Sequence, residues 1–136
     1  MSTRSAICIK IGNVYRSIYC HFDGYPSHVG NILKENYNKT HKIKELIDLG
    51  NISCLGKLTE YKEVNVFDKD YKDKRNLYTF SYHRDGNEDK EYLYEGSNFE
   101  SLIKVISNSY CEFFYLFENN EWKMFSISNN QLKEIK

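Results

Sequence analysis

Six side chains near the start of the chain have the types and spacing that could bind a charged ligand: Arg4, Tyr19, His21, Asp23, Tyr25 and His28. An arginine can hold a phosphate or a carboxylate through paired, charge-assisted hydrogen bonds. Ser27 is placed to open a helix, whose free backbone amides favour an anion. This combination predicts a site for a phosphate-bearing or nucleotide-like ligand, or for a carboxylate of a protein partner. A structural alternative stays open, in which Arg4 pairs with Asp23 to hold the first strand to the turn and Tyr25 packs with Pro26 as a corner.

A metal site or an acid–base centre would use a subset of the same residues. His21, Asp23 and His28 could serve as three metal ligands, but no fourth ligand accompanies them. His21 oriented by Asp23 could serve as a general acid or base. The chain contains no glycine-rich phosphate loop, no GxSxG motif and no HExxH motif. The sequence therefore favours a binding protein over an enzyme, and we expect no catalytic residue, metal ion or cofactor.

A hairpin is predicted to position most of the candidate residues. Segments 5–11 and 14–22 have the composition of strands, and Gly12-Asn13 between them is typical of a two-residue turn, whose central residues need positive φ. This register places Arg4 opposite His21, on the face that also carries Tyr19. The opposite face is the predicted core side, and it carries Ile7, Ile9, Ile11, Val14 and Ile18.

Periodic apolar positions and turn residues predict the remaining elements. Two short helices are expected over 28–37 and 40–49, and a third to about residue 108, where Ser97 and Glu100 match a capping box. Further hairpins are expected over 77–94 and 111–128, with an exposed charged loop at 68–76 and a short charged tail. The predicted fold class is α+β, a mostly antiparallel sheet built from three hairpins (β-β-α-α-β-β-α-β-β) with helices on one face. Residues 1–136 are expected to form a single domain.

Composition excludes several functional classes. The 136 residues carry zero net charge, which argues against direct DNA binding. No run approaches the roughly 18 apolar residues of a membrane span, and the first residues lack the apolar core of a signal peptide. We therefore expect a cytoplasmic location and four cysteines that are free thiols. Basic residues exceed acidic ones in residues 1–50 and the reverse holds in 76–136, a distribution compatible with a homo-oligomer.

The first 56 residues resemble a group of small proteins encoded by phages and prophages. The resemblance rests on the MSTRS start, on IYCHFDGYPSHVG at 18–30, on LKENY at 33–37 and on KELIDLGNISCLG at 44–56. Phe22 stands where similar proteins have a tryptophan before the Asp-Gly-Tyr-Pro turn. Residues 57–95 diverge most from the group, so specificity could reside there.

The resemblance implies a mobile-element accessory protein in the host bacterial cytoplasm. Small phage proteins of this kind often act against host immunity by binding. The leading expectation is a non-catalytic binder that counters host antiviral defence through contact with a defence protein, as anti-CRISPR inhibitors do. One alternative is a sponge that sequesters a nucleotide immune signal with Arg4, Tyr19, His21 and Tyr25. A second alternative is a small metal-dependent hydrolase or nuclease centred on His21, Asp23 and His28.

Overall fold

A computed structural model describes residues 2–74 and 76–135, and it confirms the α+β class with a mostly antiparallel sheet. Eight strands form one sheet: β1 (Ser5–Ile11), β2 (Val14–Cys20), β3 (Ile52–Cys54), β4 (Phe80–Ser81), β5 (Tyr94–Gly96), β6 (Phe113–Glu118), β7 (Glu121–Ser128) and β8 (Gln131–Ile135). The helices are α1 (Asn31–Asn36), α2 (Thr40–Asp48), α3 (Tyr71–Lys74) and α4 (Phe99–Asn108), and a π-helical turn (Pro26–Gly30) precedes α1. In the described part of the chain, no helix has the length and apolar character needed to cross a membrane.

The first hairpin forms in the predicted register. β1 and β2 pair Ile7 with Ile18 and Ile11 with Val14, and Gly12 at the turn has φ +60°. The strands of the sheet follow the order β4-β3-β2-β1-β6-β7-β8, and β5 pairs with the other end of β2. β1 runs parallel to β6, a pairing between distant segments that no local sequence pattern indicates. The core side of the hairpin is shorter than predicted, because Ile11 and Val14 at its tip are exposed.

Helices cover both faces of the sheet, and the prediction that they lie on one face is wrong. Apolar residues of α1 and α2 pack on the face that carries Ile7 and Ile18. The opposite face carries Ala6 and Cys8, and α4 packs there. β1 is a central strand, so both of its faces are buried, and its small side chains leave room for a helix to approach.

The predicted hairpin over 77–94 does not form. β4 pairs with β3, and β5 pairs with β2. The segment between them turns back on itself instead, because the amides of Asp85 and Gly86 both donate to the carbonyl of Ser81. The side chain of Arg84 donates to the carbonyl oxygens of Thr59 and Thr79, which ties this turn to the preceding loop.

The hairpin over 111–128 is confirmed, and the chain continues into a strand that we predicted as a charged tail. Asn119 and Asn120 both have positive φ, as their two-residue turn requires. Asn129 and Asn130 repeat this turn and lead into β8. The start of α4 also differs, because the side chain of Asn98, rather than Ser97, accepts a hydrogen bond from the backbone amide of Ser101 at 3.0 Å.

Candidate functional site

The TRS and Asp-Gly-Tyr-Pro segments meet at Gly24. The Gly24 amide donates to the Thr3 carbonyl at 2.8 Å, and the buried hydroxyl of Tyr115 donates to the Gly24 carbonyl at 2.6 Å. The approach is close, because a Cβ atom on Gly24 would lie 2.7 Å from Cβ of Ser5. These contacts fix the turn to β1 and β6. The structural alternative predicted that an ion pair between Arg4 and Asp23 holds the first strand to the turn. The turn is joined to the first strand by Gly24 instead, and among the described residues no ion pair joins Arg4 to Asp23.

The predicted candidate residues divide into two groups. In the inner group, the Tyr19 hydroxyl lies 2.7 Å from Nδ1 of His21, and Nε2 of His21 lies 3.1 Å from the Ser2 hydroxyl. Burial raises the pKa of Tyr19, and the neighbouring charge of Arg4 opposes that shift. The guanidinium of Arg4 lies 6.0 Å from the ring centre of Tyr110, a residue that the sequence analysis missed.

The outer group of predicted residues lies on the turn. Together with Phe22, which was not predicted as a site residue and whose ring centre lies 4.5 Å from that of His21, it forms what we call the turn surface: Phe22, Asp23, Tyr25 and His28. The Tyr25 hydroxyl donates to a carboxylate oxygen of Asp23 at 3.4 Å, and the Tyr25 and His28 ring centres are 6.0 Å apart. The charge of Asp23 raises the pKa of Tyr25. Phe22 is 45% exposed and Tyr25 38% exposed. The turn surface therefore presents aromatic side chains on a backbone that Gly24 holds from beneath.

The predicted anion site at the start of a helix is not formed as expected. The chain enters α1 through the π-helical turn, whose first residue is Pro26 and therefore has no amide hydrogen. The amide of His28 donates to the carbonyl of Tyr25, and the side chain of Ser27 makes no cap at the N-terminus of this turn. The inner group must therefore hold any anion through side chains.

A groove adjoins the inner group. We call it the Arg4 groove and define it by Arg4, Ser107, Tyr110, Glu112, Asn129 and Asn130, around a volume of about 380 Å³. Two backbone hydrogen bonds bring the segments of this groove together. The Glu112 amide donates to the Arg4 carbonyl, and the Ile127 amide donates to the Glu112 carbonyl. Sequence reasoning missed this groove because it depends on the β1–β6 pairing. The one local sequence signal for this groove was the Asn129-Asn130 pair, because it repeats the Asn119-Asn120 turn and so predicts a second turn.

Neither metal binding nor thiol chemistry fits the described residues. No group of three or more His, Cys, Asp or Glu side chains among them is arranged to hold a metal ion, so His21, Asp23 and His28 do not converge. Burial raises the pKa of Cys20 and of Cys111 to about 12, and the charge of Arg4 only partly opposes the shift at Cys111. Reactive thiols need a lowered pKa, so these two are structural.

No known protein family, curated protein or solved structure matches this chain. The phage-protein resemblance of the first 56 residues therefore stays an expectation, and any function must be argued from the geometry of the two groups of residues.

Proposed function

We propose that this protein is a phage or mobile-element accessory protein that counters host antiviral defence by binding a defence protein through the turn surface, without catalysis. The observation that carries the proposal is the pair of exposed aromatic side chains, Phe22 and Tyr25, on a turn that Gly24 fixes to two strands. The phage-protein resemblance of the same segment supports the biological setting, the cytoplasm of a host bacterium.

The chemistry of the turn surface fits a protein partner. Tyrosine and other aromatic residues are enriched in the central contacts of protein interfaces, because they bury a large area with few rotatable bonds. A rigid backbone lowers the conformational entropy lost on binding. Asp23 and His28 lie beside the Tyr25 ring and supply polar groups for the rim of the interface. The partner would offer an apolar pocket for Phe22 and a hydrogen-bond donor for the Tyr25 hydroxyl, whose own hydrogen is donated to Asp23.

The test compares the double variant Phe22→Ala/Tyr25→Ala with Phe67→Ala. Phe67 is 89% exposed and lies in a turn outside the turn surface, so it controls for the loss of an exposed ring. Each variant is expressed in host strains that each carry one defence system, and plating of a defence-sensitive phage is counted. Removal of two anchors worth about 2 kcal/mol each should weaken binding by far more than tenfold and abolish rescue of the phage. Full rescue by the double variant, or loss of rescue by Phe67→Ala alone, would contradict the proposal.

The sponge alternative shares Tyr25 with the turn surface but also depends on Arg4, Tyr19 and His21, so a third variant in the same assay separates it. A nucleotide signal would be held by Arg4 and its neighbours in the inner group. Arg4→Gln would then abolish rescue, whereas binding of a defence protein through the turn surface would leave rescue by Arg4→Gln intact. The hydrolase alternative has the least support, because its three intended metal ligands lie apart in the described structure.

A further inference from the structure

The most unusual residue outside the turn surface is Tyr110, which follows the C-terminus of α4. The Cys111 amide donates to the Ile106 carbonyl and the Tyr110 amide to the Ser107 carbonyl, which are the two hydrogen bonds of a Schellman motif. Tyr110 occupies the left-handed position of that motif, with φ +61°. Glycine, and less often asparagine, fills this position in most helices, because a Cβ atom disfavours the conformation. A tyrosine there is not explained by the helix end.

Packing does not explain Tyr110 either. Its side chain is 75% exposed, so the ring adds little to the core. It lines the Arg4 groove, and the Arg4 guanidinium lies 6.0 Å from its ring centre. Residues kept in an unfavourable backbone conformation cluster at ligand sites, where their side chains must point in one direction. An exposed aromatic ring beside an arginine offers one stacking surface and one cation.

Two further observations indicate a ligand in this groove. The hydroxyl of Ser107, which lines it, is buried and has no hydrogen-bond partner among the described residues. Arg4 takes part in no ion pair in the described structure, although Glu112 lines the same groove. Buried polar groups are normally paired, so an orphaned hydroxyl at a groove wall indicates a missing partner. The groove volume of about 380 Å³ lies within the roughly 300–1,000 Å³ range of small-molecule sites.

From these contacts we infer that the Arg4 groove binds a ribonucleoside phosphate. Arg4 holds the phosphate, the base stacks on Tyr110, and the Glu112 carboxylate accepts hydrogen bonds from the ribose hydroxyls. Each assignment follows the chemistry of the side chain: guanidinium with phosphate, aromatic ring with base, and carboxylate with the ribose diol. Asn129 and Asn130 also line the groove, and their side-chain amides would contact the edge of the base. This site is separate from the turn surface and does not depend on the function proposed for it.

The carboxylate of Glu112 makes the groove favour a nucleotide over simpler anions. A bare phosphate would gain from Arg4 but would be repelled by Glu112, and it would leave Tyr110 without a contact. A phosphorylated tyrosine side chain would use Arg4 and the ring but has no diol for Glu112. The inference therefore commits to a nucleotide with free ribose hydroxyls, and the other two compounds become arms of the test.

The experiment measures ligand binding to the full chain by calorimetric titration and thermal shift. The probes are AMP, GMP, CMP and UMP, the 2′-deoxy form of whichever binds best, adenosine, inorganic phosphate and phosphotyrosine. The variants are Arg4→Gln and Tyr110→Asn, the second because asparagine tolerates the left-handed backbone while removing the ring. Arg16→Gln is the matched charge control, since Arg16 lies on another surface and pairs with Asp48 and Glu95.

We expect at least one ribonucleotide to bind the wild type, with its deoxy form weaker and inorganic phosphate weaker still. Arg4→Gln should lower the affinity about tenfold or more, since hydrogen bonds to a charged group are lost. Tyr110→Asn should weaken binding without lowering the melting temperature, and Arg16→Gln should bind as the wild type does. No binding of any ribonucleotide, equal binding of phosphate or phosphotyrosine, or unchanged affinity in both Arg4→Gln and Tyr110→Asn would overturn the inference.

Discussion

The contact between Tyr115 and Gly24 makes the sharpest prediction about the turn surface. Tyr115→Phe keeps the buried ring but removes the hydroxyl that donates to the Gly24 carbonyl at 2.6 Å. The carbonyl is then buried without that donor, which costs about 1–3 kcal/mol. An unfolding entropy of roughly 2.1 cal/mol/K per residue converts this, for a chain of this length, into a melting temperature lower by about 4–10 °C. Urea unfolding and differential scanning calorimetry measure both quantities.

The matched control is Tyr37→Phe. Its hydroxyl is also buried and donates to a glycine carbonyl, that of Gly56, at 2.8 Å. The Thr79 hydroxyl lies 3.4 Å from the same carbonyl, but its single hydrogen is directed to the Leu58 carbonyl at 2.8 Å, so Tyr37→Phe should lose a similar amount of stability. Only Tyr115→Phe should loosen the turn, so hydrogen exchange at the Gly24 amide should accelerate beyond the global change in that variant alone. Unchanged stability in Tyr115→Phe, or equal acceleration at Gly24 in both variants, would refute the assigned role of Tyr115.

Three other predictions test the fold and its titrating groups. Asn120→Ala should lower the free energy of unfolding by about 1–2 kcal/mol, because Asn120 has φ +61°, and an unchanged value would contradict the assigned turn. At neutral pH a thiol reagent should modify the partly exposed Cys54 before the three buried cysteines, so Cys54→Ser should remove the fastest phase of the reaction. Burial raises the pKa of Tyr37 to about 12, against roughly 10 in the unfolded chain, so the folded state keeps this proton longer. The contribution of Tyr37 to stability should therefore be complete below pH 10 and fall as the pH rises towards 12. Urea titrations should show a smaller loss of stability between these pH values in Tyr37→Phe than in the wild type.

Local turn chemistry made two parts of the fold predictable. Gly12-Asn13 and Asn119-Asn120 each join two strands, and both form hairpins in the structure. Gly12 has positive φ in the first turn, and both Asn119 and Asn120 have positive φ in the second. Positive φ of this kind is typical of two-residue connections, so in each case the register follows from the turn. The same reasoning applied to Asn129-Asn130 would have predicted β8.

Distant pairings could not be predicted from local patterns. β1 pairs with β6 although more than a hundred residues separate them in the sequence. Because of this pairing β1 is a central strand, and both of its faces are buried. Ala6 and Cys8 resemble outward-facing positions in the sequence because they are small, yet they are the surface on which α4 packs. Periodicity reports whether a side chain is apolar, and it cannot report that a helix from another part of the chain covers a small one.

The sequence predicted where some of the candidate side chains lie relative to one another. The sequence placed Arg4, Tyr19 and His21 on one face of the hairpin, and the structure brings Tyr19 and His21 into contact beside Arg4. The structure does not place Asp23 with these three residues, because the turn leads the chain away from that face of the hairpin. Tyr110 could not be predicted as a site residue, and the reason is specific. Rules for helix ends expect glycine or asparagine in its position, so an exception to the rule leaves no signal in the sequence.

The contacts at Gly24 change what the phage-protein resemblance implies. The carbonyl of Thr3 in the TRS segment accepts a hydrogen bond from the amide of Gly24, which belongs to the Asp-Gly-Tyr-Pro segment. Two segments that form one structural joint would occur together in any protein with this fold, so the expected resemblance predicts a shared fold and does not by itself predict a shared partner. The recognition that we propose must then depend on side chains that the joint does not need, such as Phe22 and Tyr25 on the turn surface and Tyr110 in the Arg4 groove. Substitutions at these three positions, with Gly24 and Tyr115 untouched, are the ones that separate recognition from folding.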